Sequence, residues 1–166
     1  MSLNRIRPDV ISTQFGFTLI EILVALVVLS VGLLGLAGMQ LTGLRYNYGA
    51  YSRTQATLMA YDIIDRMRAN SDGVAAGAYD AINTTTAPTG TLACVSSTNG
   101  CTPAQLAEVD KYEWSQLFNG TPPLLAGASA TVTNVAGTFT VAVTWREREG
   151  SATGTSNKII SISVQP

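Results

Sequence analysis

Apolar residues are concentrated in one stretch near the N-terminus, where positions 22–44 contain no charged side chain. As an α-helix, these 23 residues extend roughly 34 Å, enough to cross the ~30 Å hydrocarbon core of a bilayer. Arg5 and Arg7 precede the run, and the next basic residue is Arg45. Because basic residues favour the cytoplasmic side, the pattern predicts one membrane-spanning helix whose N-terminus faces the cytoplasm.

Positions 41–70 are amphipathic. Apolar side chains recur there at helical spacing, with charged residues on the other faces and no proline, so we expect one helix from Phe17 to Asn70. Asp62 precedes Arg66 by four positions, a spacing that supports a helix through an ion pair. The apolar residues expected to face a folded domain are Leu44, Tyr48, Tyr51, Leu58, Ile63, Ile64 and Met67.

Beyond this helix the periodicity changes twice. Residues 71–100 are rich in Gly, Ala, Ser, Thr and Asn, which predicts a long loop. Thr102, Pro103 and Gln105 form the start signal of a second helix, with an N-cap, a proline at the first position and a capping-box glutamine. That helix is expected to end at Asn119-Gly120 and to place Trp114 in the core.

The last third of the chain alternates apolar and polar residues with a period of two, which predicts antiparallel strands. Ala136-Gly137 is expected to connect the first two strands, and the charged and then Gly/Ser/Thr-rich residues 146–157 to form a solvated loop before the third. The strands are predicted at 130–135, 139–145 and 160–164. The order of elements therefore predicts an α+β fold, with a long N-terminal helix packed on a small antiparallel meander.

Composition narrows the function classes. The chain has 166 residues, a formal net charge of −1 and no histidine. Without histidine, His-dependent acid–base catalysis and nearly all familiar zinc sites are excluded. The near-neutral charge argues against a nucleic-acid partner, which would require clustered basic residues. We therefore expect a protein that is not an enzyme and has no cofactor and no metal.

The two cysteines, Cys94 and Cys101, lie beyond the predicted membrane span. Thiols outside the inner membrane are normally oxidised, which predicts a disulfide between them. Their spacing is not that of a C-x-x-C motif, and two cysteines without histidine cannot complete a zinc site.

The apolar run has three interpretations. It can be a simple membrane anchor, or a cleaved secretory signal whose small residues Gly35 and Ala37 offer a cleavage site. The third interpretation depends on Glu21, because a carboxylate beside an apolar helix is energetically costly and is usually functional. Neither an anchor nor a signal peptide needs such a residue.

The string Gly16-Phe17-Thr18-Leu19-Ile20-Glu21 resembles the processing site of type IV prepilins. The resemblance implies that prepilin peptidase cleaves between Gly16 and Phe17, that Phe17 becomes N-methylated, and that the apolar helix remains in the mature protein. It also implies a pilin-like fold. The new α-amino group of Phe17 would be mostly cationic near neutral pH. Glu21 would then be its assembly partner, since two helices packed with an axial offset can bring an ammonium to a carboxylate.

Residues 61–70 resemble the end of this helix in the minor pilins called type IV pilus modification protein PilV. The resemblance implies a minor pilin with a leader at 1–16, a transmembrane and filament-core helix at 17–44, and an extracytoplasmic domain at 45–166. It implies an inner-membrane precursor that moves to a periplasmic and cell-surface pilus. Its expected partners are prepilin peptidase, other minor and major pilins, and the inner-membrane assembly platform. A type II secretion pseudopilin and a membrane-anchored extracytoplasmic binding module are the alternatives.

Overall fold

A computed structural model describes residues 16–86, 93–148 and 154–166. The fold is α+β and pilin-like, as expected, with a long apolar N-terminal helix that packs on a four-stranded antiparallel sheet. In chain order the elements are α1 (Leu19–Ala69), α2 (Ser71–Ala75), β1 (Ala81–Asn83), a 3-10 turn (Ala93–Ser96), α3 (Pro103–Asn119), β2 (Ser129–Val135), β3 (Thr138–Arg148) and β4 (Thr155–Val164).

The chain divides into two compact units, with the boundary between Gly43 and Leu44. Within the described part of the first unit, α1 is apolar enough to cross a membrane, and none of its most hydropathic window is buried. Helix α1 begins at Leu19, two residues later than expected. Thr18 precedes the helix, and the Thr18 carbonyl accepts hydrogen bonds from the backbone N–H groups of Glu21 (3.1 Å) and Ile22 (3.3 Å).

The second unit contains the sheet, whose strands follow chain order from β1 to β4 and pair antiparallel throughout. Ala136 and Gly137 connect β2 to β3, and both have positive φ (51° and 84°), as a two-residue hairpin turn requires. The predicted turn is confirmed. Strand β3 extends further toward the C-terminus than expected, however, because Glu147 pairs with Ser156 and so continues the ladder between β3 and β4. The predicted solvated loop at 146–157 is therefore wrong at both ends.

The predicted long loop at 71–100 is also interrupted. Asn70 caps the short helix α2, since its side-chain oxygen accepts a hydrogen bond from the Gly73 N–H at 3.2 Å. Within this region β1 pairs with β2, and its central residue Ile82 is buried in the core. Burial of Ile82 therefore stabilises a strand in residues whose composition predicts irregular structure.

The core of the second unit lies between the C-terminal part of α1, α3 and one face of the sheet. Ile63, Ile64 and Met67 are buried as predicted, but Leu44 and Leu58 are exposed together with Tyr48 and Tyr51. Small residues occupy the buried side of α1 instead, because they allow its backbone to approach its neighbours closely. The buried residues of α1 are Gly49, Ser52, Ala56, Met59, Ala60, Ile63, Ile64 and Met67.

Two contacts show how close that approach is. The Nε1 of Trp114, a fully buried core residue as predicted, donates a hydrogen bond to the Met59 carbonyl at 2.7 Å and so joins α3 to α1. The Oε1 atom of Glu147 lies so close to Gly49 that a Cβ there would clash with it, so a glycine is required for the present position of the Glu147 side chain. This side chain is half-buried, in contrast to the predicted solvated loop.

Candidate processing and assembly site

Gly16 and Phe17 lie in non-helical backbone immediately before α1. Gly16 is exposed, and no other described atom lies within 4 Å of the position that its Cβ would occupy. The Phe17 side chain is 80% exposed. The peptide bond between these two residues thus lies in exposed backbone outside the helix.

Glu21 lies in the first turn of α1. The Thr18 hydroxyl accepts a weak hydrogen bond from the Glu21 backbone N–H at 3.4 Å, and the spacing of Thr18 and Glu21 is that of a capping box. A carboxylate at this position also interacts favourably with the positive end of the helix dipole. The carboxylate is therefore favourably placed at the helix N-terminus, apart from the assembly role that the sequence suggests.

Phe17 and Glu21 contribute to one shallow groove on the N-terminal end of the helix. Four apolar side chains form the rest of its lining, so that the Glu21 carboxylate lies at the border of an otherwise apolar surface: Ile22, Ala25, Leu26 and Leu29. The structure thus brings together two of the three predicted N-terminal site residues.

The remainder of the first unit is an apolar surface without a protein partner in the monomer. Every large hydrophobic side chain from Leu19 to Leu41 is about half exposed or more, ranging from 48% at Ile22 to 82% at Leu19. A surface of this extent marks a membrane or protein interaction site, since water alone cannot stabilise it. The helix therefore requires lipid or neighbouring helices around it.

A disulfide joins Cys94 to Cys101, with the two Cα atoms 4.9 Å apart. Gly100 has a φ of 71°, a conformation that glycine adopts without strain and that allows the chain to turn back within this short loop. Thr102 follows directly and caps α3, with its hydroxyl accepting from the Gln105 N–H at 3.3 Å while the Gln105 side chain accepts from the Thr102 N–H at 3.0 Å. The disulfide therefore closes the loop that precedes α3, and the predicted capping box is confirmed.

A polar cluster joins the end of α1 to α3 and to the segment that contains Tyr79. The sequence did not predict this cluster as a whole. Arg66 donates to Asp110 at 3.2 Å and to Glu113 at 2.7 Å, both on α3, and to Asp62 at 3.0 Å in the predicted i, i+4 pair. The Tyr79 hydroxyl donates to the second carboxylate oxygen of Asp110. These carboxylates bind a guanidinium, and no group of three or more His, Cys, Asp or Glu within the described ranges could hold a metal ion.

The electrostatics of this cluster favour its present protonation states. Burial raises the pKa of Tyr79, and the hydrogen bond to Asp110 raises it further. Burial lowers the pKa of Arg66, but the hydrogen bond to Glu113, the charge of Asp62 and the hydrogen bond to Asp110 outweigh that effect, so its pKa is raised overall. The i, i+4 spacing of Asp62 and Arg66 was the single sequence signal for the cluster, because the partners on α3 lie more than 40 residues away.

Comparison with known proteins gives two adjacent family matches. Residues 11–37 match the prokaryotic N-terminal methylation motif, and residues 38–112 match a family model described as Tt1218-like, type IV pilin Tt1218. The two matches follow each other directly along the chain and support a type IV pilin. No curated protein and no solved structure shows significant similarity to the chain.

Proposed function

We propose that this protein is a minor pilin of a type IV pilus, most similar to the type IV pilus modification protein PilV. The observation that carries the proposal is the direct succession of the methylation motif and the pilin domain along one continuous helix. The motif implies processing by prepilin peptidase and assembly with other pilins. The subunit is structural and not catalytic. It primes or modifies the pilus together with other minor and major pilins on the inner-membrane assembly platform.

In this proposal residues 1–16 are the leader, and residues 17–44 form the span of the precursor and later the filament core. Residues 45–166 form the extracytoplasmic domain. The exposed bond between Gly16 and Phe17 is the cleavage point, and Phe17 is the residue that is methylated. The precursor resides in the inner membrane with its N-terminus in the cytoplasm, and the mature subunit is transferred to the periplasmic and surface pilus.

Glu21 sets the register of docking. After cleavage, the Phe17 ammonium of an incoming subunit meets the carboxylate of Glu21 in the groove of its neighbour. Each charge alone is costly in an apolar bundle, whereas the pair compensates part of that cost, so helices are favoured at the one offset that joins them. The apolar lining of the groove supplies the remaining contact area.

Two measurements test the proposal. The mass of the mature N-terminal peptide must correspond to methyl-Phe17, whereas an intact Met1 would indicate a plain anchor and a start at Gly38 would indicate a secretory signal. The second measurement is detection of the chain in surface fibres sheared from cells. Recovery in pili supports the minor pilin. Recovery in a type II secretion pseudopilus indicates the pseudopilin, and absence from all fibres indicates the anchored binding module.

A further inference from the structure

Three of the six tyrosines of the chain lie within positions 46–51, directly after the uncharged run at 22–44. All three are exposed, with Tyr46 at 77%, Tyr48 at 54% and Tyr51 at 55%. Two of them belong to the stripe that the sequence predicted to be buried, yet the domain packs on small residues instead. The position and exposure of these tyrosines therefore have no explanation in the folding of the monomer.

The three rings do not lie on one side of α1. At about 100° per residue, Tyr46 is about 160° away from Tyr48 and about 140° away from Tyr51 around the helix axis. The buried Gly49 and Ser52 lie on a further side, facing the domain. A single packed protein partner would cover one side of a helix. Rings that point in nearly opposite directions instead fit a medium that surrounds the helix.

The composition and the distances indicate which medium. Between Arg45 and Arg53 the segment contains Tyr, Asn, Gly, Ala and Ser but no charge. Tyrosine combines an apolar ring with a polar hydroxyl and is enriched where hydrocarbon meets water in membrane proteins. At 1.5 Å per residue, Tyr46 and Tyr48 lie about 3–6 Å beyond Leu44 along the axis, and the interfacial layer is about 5–7 Å thick on each side.

We propose that Tyr46 and Tyr48 form an aromatic belt that lies in the outer headgroup layer of the membrane, with Tyr51 just beyond it on the aqueous side, and that these rings fix the depth of the helix before assembly. The belt rests on the proposed membrane-spanning precursor. Tyr46 and Tyr48 lie inside the headgroup layer, whereas Tyr51, about 10 Å beyond Leu44 along the helix axis, lies outside it. Extraction of the subunit into a filament must then remove these rings from the lipid interface.

The first experiment measures depth in vesicles of phosphatidylethanolamine and phosphatidylglycerol. The two native cysteines are joined to each other, so a new cysteine provides a selective thiol for an environment-sensitive fluorophore in the full chain. The labelled variants are Met39→Cys, Tyr46→Cys, Tyr48→Cys and Thr57→Cys. Quenching is compared between lipids that carry a spin label on the headgroup and lipids that carry it at mid-chain.

We expect the Met39 label to be quenched from mid-chain, the Tyr46 and Tyr48 labels from the headgroup, and the Thr57 label from neither. The belt is overturned if the Met39 label lies in hydrocarbon but the labels at positions 46 and 48 are quenched from mid-chain or not quenched at all. The proposed membrane span would be unaffected by that result. If the Met39 label itself is in water, the proposed span is overturned together with the belt. Absence from sheared fibres would instead overturn the minor pilin and leave the belt intact.

The second experiment tests whether the rings hold the depth. Replacing all three tyrosines by serine should shift the Met39 label by at least about 3 Å, the rise of two helical residues, while replacement by tryptophan should preserve its depth. Tyr61→Ser is the matched control, because Tyr61 is exposed on the same helix ten residues beyond Tyr51. An unchanged depth in the triple serine variant, combined with reduced recovery in sheared fibres, would assign the tyrosines to contacts between subunits and overturn the proposal.

Discussion

The hydroxyl of Tyr79 donates a hydrogen bond to the carboxylate of Asp110, although 31 residues separate them in the sequence. Both residues are buried, and the other Asp110 oxygen accepts from Arg66 at 3.2 Å. The Asn70 side-chain amide donates to the Tyr79 oxygen at 3.0 Å. One carboxylate therefore joins the end of α1, the segment before β1 and the helix α3.

Tyr79→Phe should destabilise the second unit by about 1–3 kcal/mol, because one buried carboxylate oxygen of Asp110 loses its donor and the Asn70 side-chain amide loses one of its two acceptors. The measurement is urea unfolding of the full chain in detergent, followed by the fluorescence of the two buried tryptophans, Trp114 and Trp145. Tyr61→Phe, at an exposed position, is the control and should change little. Equal stability of the two variants would contradict a structural role for the buried hydroxyl.

The same pair predicts a pH dependence in the alkaline range. Burial and the hydrogen bond to Asp110 raise the pKa of Tyr79, whereas an unfolded tyrosine titrates near about 10. Since the folded state holds this proton more tightly, the contribution is fully present below pH about 10 and decreases as the pH rises above it. The wild type should lose stability there by up to about 1.4 kcal/mol per pH unit more than Tyr79→Phe. Parallel alkaline profiles for the two proteins would be inconsistent with this assignment.

Arg66→Met should destabilise the protein by roughly 1–3 kcal/mol, because the nearly buried Asp110 carboxylate loses its cation. The effect is smaller than for a fully buried ion pair, since the Arg66 side chain of the wild type is partly solvated. Arg68→Met is the matched control on the same turn. Arg68 pairs with Asp65 at 3.2 Å, with both side chains more than half exposed, so its loss should cost less than about 1 kcal/mol. Urea unfolding compares the two variants, and a larger effect at Arg68 would refute the argument.

Gly16→Leu should leave the precursor at full mass, because a bulky side chain would then stand beside the bond that the peptidase cuts. No described atom surrounds the Gly16 Cβ position, so the substitution should not disturb the fold. Mass spectrometry of the membrane fraction measures the outcome. Gly35→Leu, which is equally open within the apolar run, should be processed as the wild type is. Normal processing of Gly16→Leu would argue against the prepilin assignment.

Glu21 variants separate its two roles. Glu21→Val should insert and be cleaved normally but enter filaments poorly, because the Phe17 ammonium loses a partner worth roughly 3–5 kcal/mol in a fully buried site. Glutamine also completes a capping box but carries no charge. If the charge sets the register, Glu21→Gln should fail as Glu21→Val does.

The measurement is the amount of subunit in sheared pili relative to that in the membrane fraction. Full incorporation of Glu21→Gln would show that incorporation does not need the charge of residue 21. Unchanged incorporation of Glu21→Val would show that it does not determine register at all.

Cys94→Ser should lower the free energy of unfolding by about 2 kcal/mol through the loss of a short closed loop, without changing membrane insertion. The measurement compares urea unfolding of the variant with that of the oxidised and reduced wild type. Reduced wild type should match the variant. Alkylation of both cysteines in the wild type before any reduction would show that the disulfide does not form in the cell.

Signals within a few residues determined the local structure. Thr102, Pro103 and Gln105 specify the start of α3, and Ala136-Gly137 specifies the hairpin, because each depends on backbone groups next to it in the chain. The apolar run and the string around Gly16 likewise contain the membrane and methylation signals in contiguous residues.

Only the tertiary structure decided which side of α1 is buried. Helical spacing predicted a stripe that includes Tyr48 and Tyr51, but the domain packs on the side with Gly49, Ser52 and Ala56, because small side chains allow closer approach than these tyrosines would. The bond between Tyr79 and Asp110 and the pairing of Glu147 with Ser156 depend in the same way on segments brought together by folding. Such contacts leave no periodic signal, since their energy arises from burial and geometry between positions that are distant in the chain.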